Sequence, residues 1–426
     1  MSSVRLFGVG YYFRRETGRM NNLAQMAHRV RLGVALLAAL LLAGCGRQPD
    51  APSQSTAAGD TKTAAPAGNA SAASAGPTAD GAPTDPEKVL NVFNWSDYID
   101  PSIVPAFEKE YGIKVNYDVF DSNEVLETKL LAGRTGYDVV VPSASFLQRQ
   151  IQAGVFQKLD KSLLPNLKNL DPDITRRIEV SDPGNQYGVI YLWGTAGIGY
   201  NDAQIASAMP NAPVDSLAML LDPNVVKNFQ KCGVSFLDSP VDGVGAALLY
   251  LGRDPKSESL DDLHAAEQVL MAVRPYVRYI NSSKYIEDLA NGEICLALGW
   301  SGDVIQARSR AADAGKTFKI RYNVASQGAI MFFDMLAIPA DAPHPKNAHL
   351  FINYLLRPQV AARNSSSMHF TTANAAAYSL VDPAVFNDRE VYPSDAQKAH
   401  MYPDVSHSLA YTRELNRTWT RFKTGR

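Results

Sequence analysis

Aromatic residues and aspartates occur together at several points of the 426-residue sequence. The groups are Trp95, Asp97 and Tyr98; Trp300 and Asp303; Phe332, Phe333 and Asp334; and Asp242, which follows an apolar run ending near Leu237. A buried organic cation needs this combination. Carboxylates offset the desolvation of each ammonium group, while aromatic faces attract the cation and enclose its methylene groups. Taken singly, each aromatic residue is also a core candidate and each aspartate a helix-cap candidate. The joint pattern favours an organic-cation site.

The sequence motifs of catalytic, metal-binding and nucleotide-binding sites are absent or incomplete. The histidines after residue 88 form no HExxH motif, and no GxSxG motif is present. Gly197-Ile198-Gly199 lacks the third glycine of a dinucleotide-binding loop. A net charge of −2, without basic stretches, argues against nucleic acid as a partner. We therefore expect a binding protein with no enzymatic activity, cofactor or metal.

The elements that position these residues alternate between short apolar runs and amphipathic stretches, which predicts an α/β fold with a largely parallel sheet. The first unit comprises strands at 89–93, 113–120 and 138–141, with helices at 101–111 and after Asp121, which precedes Glu124 at capping-box spacing. Ligands of open α/β sheets bind outside the carboxyl ends of the strands. Those ends carry residues 94–98 and 142–146.

A second stretch with the same alternation of apolar runs and amphipathic segments implies a second lobe. It runs from about Gly194 to Arg321 and contains strand-like segments at 233–237 and 294–298. A further strand is predicted at 329–338 and a helix at 346–356, which would complete the first lobe.

The amino-terminal part has the pattern of a signal peptide. Arg29 and Arg31 precede an apolar run at 32–42, which is too short for a membrane anchor. Leu42-Ala43-Gly44-Cys45 resembles the lipobox of bacterial lipoproteins, with an ordinary secretory peptide as the alternative. The true start is Met1, Met20 or Met26. Residues 46–88 are rich in Ala, Gly, Ser, Thr and Pro and predict a disordered tether.

Two cysteines remain in the mature chain, Cys232 and Cys295. Disulfides persist in exported proteins, so we expect the two to pair. Two buried free thiols are the alternative, because sequence spacing does not exclude them.

At these residues the chain resembles the periplasmic putrescine-binding proteins of ABC importers. The resemblance covers nearly everything after the tether. It is carried by FNWSDYIDPSIVPAFEKEYGIKV and PSASF in the first stretch, and by CGVSFLDSP, YIEDLANGEICLALGWSGDV, GAIMFFDMLAIP and FINYLLRP further on. It implies two α/β lobes joined by two crossovers, with the ligand in the cleft between them. It also implies the pairing of Cys232 with Cys295.

The resemblance implies a role for each residue of the matching motifs. Ser96 and Ser143 would bind the amine from the first lobe, whose side of the cleft Trp95, Asp97 and Tyr98 would line. Asp303 and Asp334 would be the principal ammonium partners, and Trp300 and Phe332 would sandwich the aliphatic chain. The sequence departs from the expected pattern at Asp242, where a glutamate is expected, and at Phe370, where a tyrosine is expected. We expect both positions to act through water and to affect selectivity among diamines.

The predicted organisation follows. Residues 1–45 are an extension and lipoprotein signal peptide, and residues 46–88 are the tether. Residues 89–193 with 325–372 form lobe 1, and residues 194–324 with 373–426 form lobe 2. We place the crossovers near 193–197 and 324–328.

The expected function is capture of a polyamine, putrescine first, by a monomeric periplasmic lipoprotein that delivers it to the permease subunits of an ABC importer. The small side chain of Ser145 favours putrescine. Spermidine, cadaverine or agmatine as ligand, and a sensor that signals to a membrane partner, are the alternatives. Gly46 leaves both the inner and the outer membrane possible as the site of the anchor.

Overall fold

The computed structural model describes Gly81 and residues 83–426. The predicted signal peptide, Cys45 with its lipobox, and all of the predicted tether up to residue 80 lie outside the described residues. Nothing in the described part of the chain is a helix long and apolar enough to cross a membrane.

The described residues fold into alternating strands and helices. The strands are β1 (Val89–Trp95), β2 (Lys114–Phe120), β3 (Val139–Val140), β4 (Gly188–Asn201), β5 (Val234–Phe236), β6 (Tyr279–Ile280), β7 (Leu296–Trp300), β8 (Ile320–Asn323), β9 (Ala329–Ala337), β10 (Thr371–Thr372) and β11 (Met401–Pro403). The α-helices are α1 (Ile103–Tyr111), α2 (Asn123–Ala132), α3 (Ala144–Gln152), α4 (Pro172–Arg177), α5 (Asp202–Ala208), α6 (Ala218–Leu221), α7 (Pro223–Val226), α8 (Pro240–Tyr250), α9 (Leu260–Val273), α10 (Lys284–Asn291), α11 (Ser301–Asp313), α12 (Pro345–Leu355), α13 (Pro358–Met368), α14 (Pro383–Phe386), α15 (Asp395–Lys398) and α16 (Leu409–Thr424).

The strands form one mixed sheet in the order β2-β1-β3-β9-β4-β7-β5-β6. β1 pairs in parallel with β2 and β3, and β5 pairs in parallel with β6 and β7. β4 runs antiparallel to β7, β8, β9 and β10. The predicted α/β architecture is confirmed, but the sheet is less parallel than the sequence pattern indicates, because β9 runs antiparallel to both β3 and β4, and β4 runs antiparallel to β7.

The long strand β4 belongs to both lobes. Its first part, to Thr195, pairs with β9, and its second part, from Ala196, pairs with β7. The buried apolar side chains divide at the same point, since Trp193 packs in one core and Ala196 in the other. Residues 377–422 supply side chains mainly to the second core, yet Met401 packs in the first. The exact lobe boundaries stay a prediction.

Local sequence explains the elements around the first strand. In α1, residues four apart, Ile103, Phe107 and Tyr111, are buried on one face, and Gly112 ends the helix at φ 66°. α2 is capped by Ser122, whose hydroxyl accepts from the Val125 backbone N–H at 3.3 Å. Asp121, the predicted cap of this helix, instead faces the space between the lobes.

The last residues of the predicted tether are packed against the first lobe. One carboxylate oxygen of Asp85 accepts from the backbone N–H groups of Lys346 and Asn347, each at 2.9 Å, and so caps α12. The Asn347 side chain donates to the carbonyls of Glu87 and Val89 at 2.9 Å. Asp85 and Glu87, which the sequence predicts as part of the tether, therefore belong to the folded structure of the first lobe.

Cys232 and Cys295 form a disulfide that joins positions 63 residues apart. Cys295 directly precedes β7, and Cys232 lies just before β5, the neighbour of β7 in the sheet. The predicted pairing is therefore present in the structure.

Candidate functional site

A cleft that opens to solvent lies between the two lobes. Most of the residues singled out from the sequence line it. They are Trp95, Ser96, Tyr98, Ser143, Asp242, Trp300, Asp303, Phe332, Asp334 and Phe370. They come together because β1 and β3 of the first lobe and β7 of the second lobe each end at the cleft, while β9 supplies Phe332 and Asp334.

Asp334 is the central carboxylate of the first lobe. Successive residues of a strand point to opposite faces, so Phe332 and Asp334 of β9 face the cleft together. Asp334 pairs through a single β-bridge with Ser143, which follows β3. Its carboxylate accepts from the Ser143 hydroxyl at 2.6 Å and from the Tyr98 hydroxyl at 2.7 Å. Burial raises the pKa of Asp334 to about 7, against the effect of these two hydrogen bonds.

Asp303 is the corresponding carboxylate of the second lobe. It lies in the first turn of α11, which begins directly after β7. The Tyr285 hydroxyl donates to it at 2.7 Å and accepts from the Trp300 backbone N–H at 3.0 Å. Burial raises the pKa of Asp303 to about 8, and the negative charges of Asp97 and Asp334 add to the rise.

Asp242 occupies a different position in the second lobe. It lies in the first turn of α8, whose N-cap is Ser239. Its carboxylate accepts from the Trp300 indole N–H at 3.0 Å. Burial raises the pKa of Asp242. Asp242 therefore orients an aromatic wall of the cleft.

Seven aromatic side chains line the cleft, and five of them form a series of ring contacts between these carboxylates. Trp95 and Trp300, from opposite lobes, meet edge to face with centroids 5.5 Å apart. Phe332 lies 6.2 Å from both Trp300 and Phe370, and Phe370 lies 4.7 Å from Tyr98. Such rings attract a cation through their faces and cover an aliphatic chain.

Phe370 reaches the cleft only because a glycine leaves space for it. A β-carbon placed on Gly302 would lie 2.4 Å from a ring carbon of Phe370. Gly302 of the GWSGD segment is therefore required by packing.

Asp97 is placed differently from the expectation. Its backbone has φ 52°, a left-handed conformation that aspartate tolerates better than most residues. Its carboxylate pairs with Arg310 of α11 at 2.6 Å and does not line the cleft. Nor does it cap α1, whose N-cap is Ser102. Asp97 links the two lobes at the rim of the cleft.

The sequence reasoning missed several acidic residues of the cleft. The acidic lining residues are Asp121, Glu124, Asp238, Asp242, Asp303, Asp334 and Asp404. No lysine, arginine or histidine is among the residues that line the cleft. The formal charge of the lining is therefore strongly negative, which suits a ligand with more than one positive charge.

Asp404 is the least expected of these acids. It follows the short strand β11, which pairs in parallel with β9. Burial raises the pKa of Asp404 to about 7, as it does for Glu124. A single aspartate after a proline carries no recognisable signal, and only the pairing of β11 with β9 brings it to the cleft.

Metal binding is not suggested by the geometry. Across Gly81 and residues 83–426, no three side chains of His, Cys, Asp or Glu are grouped so that they could hold a metal ion. Organic cations are better suited to the cleft, because both carboxylates and aromatic rings line it.

The chain is similar in sequence to known solute-binding proteins. The profile of the bacterial extracellular solute-binding protein family matches residues 102–392. A putrescine-binding periplasmic protein of Pseudomonas aeruginosa is 51% identical over 342 residues, which cover 80% of this chain and 93% of that protein. A putrescine-binding periplasmic protein of Escherichia coli is 48% identical, covering 80% and 92%.

The fold is similar to that of solved solute-binding proteins. A structure described as a spermidine/putrescine ABC transporter of Listeria monocytogenes superimposes with a TM-score of 0.72 at 31% sequence identity. The match covers 80% of this chain and all of that one.

Proposed function

The chain belongs to the bacterial extracellular solute-binding protein family, and on this premise we propose that it binds a short polyamine, putrescine first, and delivers it to an ABC importer. One observation carries the proposal. The cleft is lined by seven acidic side chains and no basic one, and aromatic rings separate its two principal carboxylates, Asp303 and Asp334. The relatives described above are named for putrescine binding, which supports the same ligand.

The two carboxylates supply the two ends of the site. Asp334 belongs to the first lobe and Asp303 to the second, so a diamine held between them would bind both lobes at once. Burial favours the protonated form of each carboxyl in the empty cleft. An ammonium group replaces the proton as the source of positive charge, and the ring faces of Trp300 and Phe332 cover the methylene chain.

Closure follows from this division of contacts. A ligand that binds both lobes favours the state in which they are close together, and it shifts the population toward that state. The closed form then docks on the permease. No step of this mechanism requires a bond to be made or broken, in keeping with a family of binding proteins.

Thermal unfolding of the purified chain tests the proposal. A ligand that binds only the folded state raises its stability in proportion to the logarithm of its concentration above Kd. We expect putrescine to raise the melting temperature in this way, and glutamate and glucose to leave it unchanged. Asp173→Asn, at an exposed carboxylate far along the chain from the cleft residues, should respond like the unchanged protein. An unchanged melting temperature at saturating putrescine would contradict the proposal.

We further propose that the chain acts as a monomer anchored to the membrane by a lipid on Cys45, with the segment up to residue 83 as its tether. The Leu-Ala-Gly-Cys sequence supports this attachment. Incorporation of labelled fatty acid by the native chain, lost in Cys45→Ser, tests the anchor. Loss of putrescine uptake on deletion of the protein would favour transport, whereas unchanged uptake would favour a sensor.

A further inference from the structure

The helix α11 also contacts the first lobe through Ser309, which faces His369. Ser309 lies three residues after Gln306, on the same face of the helix, and its Oγ is 3.2 Å from His369 Nε2. Met368 and Phe370, on either side of His369, pack in the first core, whereas the buried apolar side chains of α11 pack in the second. The contact between Ser309 and His369 therefore joins the two lobes.

The backbone on both sides of the His369 ring is held in place. His369 ends α13 in a left-handed conformation, with φ 58°, and its N–H donates to the Ser365 carbonyl at 2.9 Å. The preceding carbonyl, that of Met368, accepts from the Gln306 side chain of α11 at 3.2 Å. These contacts fix the position from which the imidazole extends toward Ser309.

The imidazole suits this contact only while it is neutral. His369 Nδ1 is shielded from solvent and has no hydrogen-bond partner within the described part of the chain. A neutral ring can keep its one N–H at Nε2, which donates to Ser309 Oγ, and leave Nδ1 without a hydrogen atom. Protonation adds an N–H at Nδ1, and an enclosed donor without an acceptor is costly.

The charged groups around His369 do not favour an imidazolium ion. Burial lowers the pKa of His369, and the positive charge of Arg308 on α11 lowers it further. Asp388 and Asp382 oppose this, with smaller effects. Asp388 pairs with Arg308 itself, and Asp382 accepts from the Ala384 backbone N–H at 2.8 Å. Both carboxylates that act on the ring are thus engaged by other partners.

We propose that Ser309 and His369 form a pH-sensitive latch, which holds the lobes together while His369 is neutral and releases them when it is protonated. The inference rests on the proposed polyamine function and adds a regulation of the same cleft. Since the closed form disfavours the imidazolium ion, protons bind more readily to the open form, in which the ring and α11 are apart. Protons and polyamine then compete, so acidification weakens capture of the ligand.

Binding calorimetry with putrescine at pH 7.5 and at pH 5.5 tests the latch. Protonation of the cleft carboxylates also weakens binding over this range, so variants must be compared. His369→Gln keeps a polar group that reaches Ser309 but takes up no proton. A histidine of ordinary pKa, about 6.5, is mostly protonated at pH 5.5, so we expect the ratio of Kd at pH 5.5 to Kd at pH 7.5 to be at least about threefold smaller in His369→Gln than in the unchanged protein.

His264→Gln is the matched control. His264 is an exposed histidine of α9, in the second lobe, and its replacement should leave the ratio of the two Kd values as it is in the unchanged protein. Ser309→Ala removes the hydrogen bond from the other side and leaves the left-handed backbone of His369 untouched. We expect it to raise the putrescine Kd at pH 7.5 about threefold, the effect of one lost hydrogen bond.

The outcomes separate the latch from the function of the cleft. An unchanged Kd in Ser309→Ala would refute the latch, as would a Kd ratio in His369→Gln equal to that of the unchanged protein, and the polyamine function would stand in both cases. If His369→Gln does not fold, the result for Ser309→Ala decides. If putrescine does not bind the unchanged protein at pH 7.5, the proposed function itself fails.

Discussion

At the scale of single residues, the cleft carboxylates divide into two kinds. Asp303 and Asp334 accept from hydroxyl groups and retain capacity to accept from a ligand. Asp242 accepts from the Trp300 indole and holds an aromatic wall in place. The first kind binds charge, and the second orients a ring, although burial raises the pKa of both kinds.

This division predicts unequal effects of neutralisation. Asp303→Asn removes one partner of a desolvated charge pair, which costs about 2–5 kcal/mol, or roughly 30-fold or more in Kd. Asp242→Asn keeps a side chain that can still accept from Trp300, so we expect a loss of less than about tenfold. Calorimetric titration with putrescine measures both values. Equal losses in the two variants would show that Asp242 also contacts an ammonium group directly.

At the scale of elements, α11 connects the site with the rim of the cleft. Its first turn carries Asp303, and further along it Gln306 donates to the backbone carbonyl of Asp97 at 3.2 Å. In the next turn Arg310 binds two carboxylates, Asp97 from the first lobe at 2.6 Å and Glu287 from the second at 2.5 Å. The helix α11 thus carries both a carboxylate of the cleft and a residue that forms an ion pair between the lobes.

Arg310 therefore offers a comparison between two ion pairs. Asp97→Asn removes the pair between the lobes, and Glu287→Gln removes the pair within the second lobe. Both pairs are partly exposed, which limits each to about 1 kcal/mol, roughly fivefold in Kd. We expect only Asp97→Asn to accelerate putrescine dissociation in stopped-flow measurements, with an effect that shrinks at high salt. Similar rates in both variants would mean that the pair does not hold the closed form.

At the scale of the whole molecule, the acidic cleft makes stability depend on pH and on ligand. Burial raises the pKa of Asp303 to about 8 and those of Asp334 and Asp404 to about 7. The folded, empty protein thus holds more protons than the unfolded chain between about pH 4 and pH 8. Its free energy of unfolding must then fall as the pH rises through this window.

Ligand binding favours the opposite protonation state of these carboxylates, so the affinity for the ligand depends on pH in the opposite direction to the stability of the empty protein. Positive charge beside the carboxylates favours their ionised form, so binding of putrescine at pH 7 should release protons, and its affinity should increase between pH 5 and pH 8. Calorimetry at pH 7 in two buffers with different ionisation enthalpies measures the release. Asp303→Asn should release fewer protons than the unchanged protein. Identical apparent enthalpies in both buffers would contradict the assignment of these carboxylates to the ligand.

The sequence alone was sufficient for features that depend on neighbouring residues. A β-branched run marks β3, and a short apolar run marks β1. The spacing of Ile103, Phe107 and Tyr111 and the following Gly112 mark α1 and its end. Ligands of an α/β sheet bind at the carboxyl ends of its strands, so the approach of Trp95 and Ser143 to one cleft could also be predicted. The family resemblance added the opposing lobe.

Only the tertiary structure decided what depends on distant pairing. Asp404 reaches the cleft because β11 pairs with β9, which lies about seventy residues earlier in the chain. Asp97 faces Arg310 rather than the cleft because its left-handed backbone turns the side chain toward α11. The organic-cation cluster of aromatics and aspartates was readable from residue types, since charge and aromaticity are local properties. How many carboxylates that cluster contains was not, because their number depends on which distant segments meet.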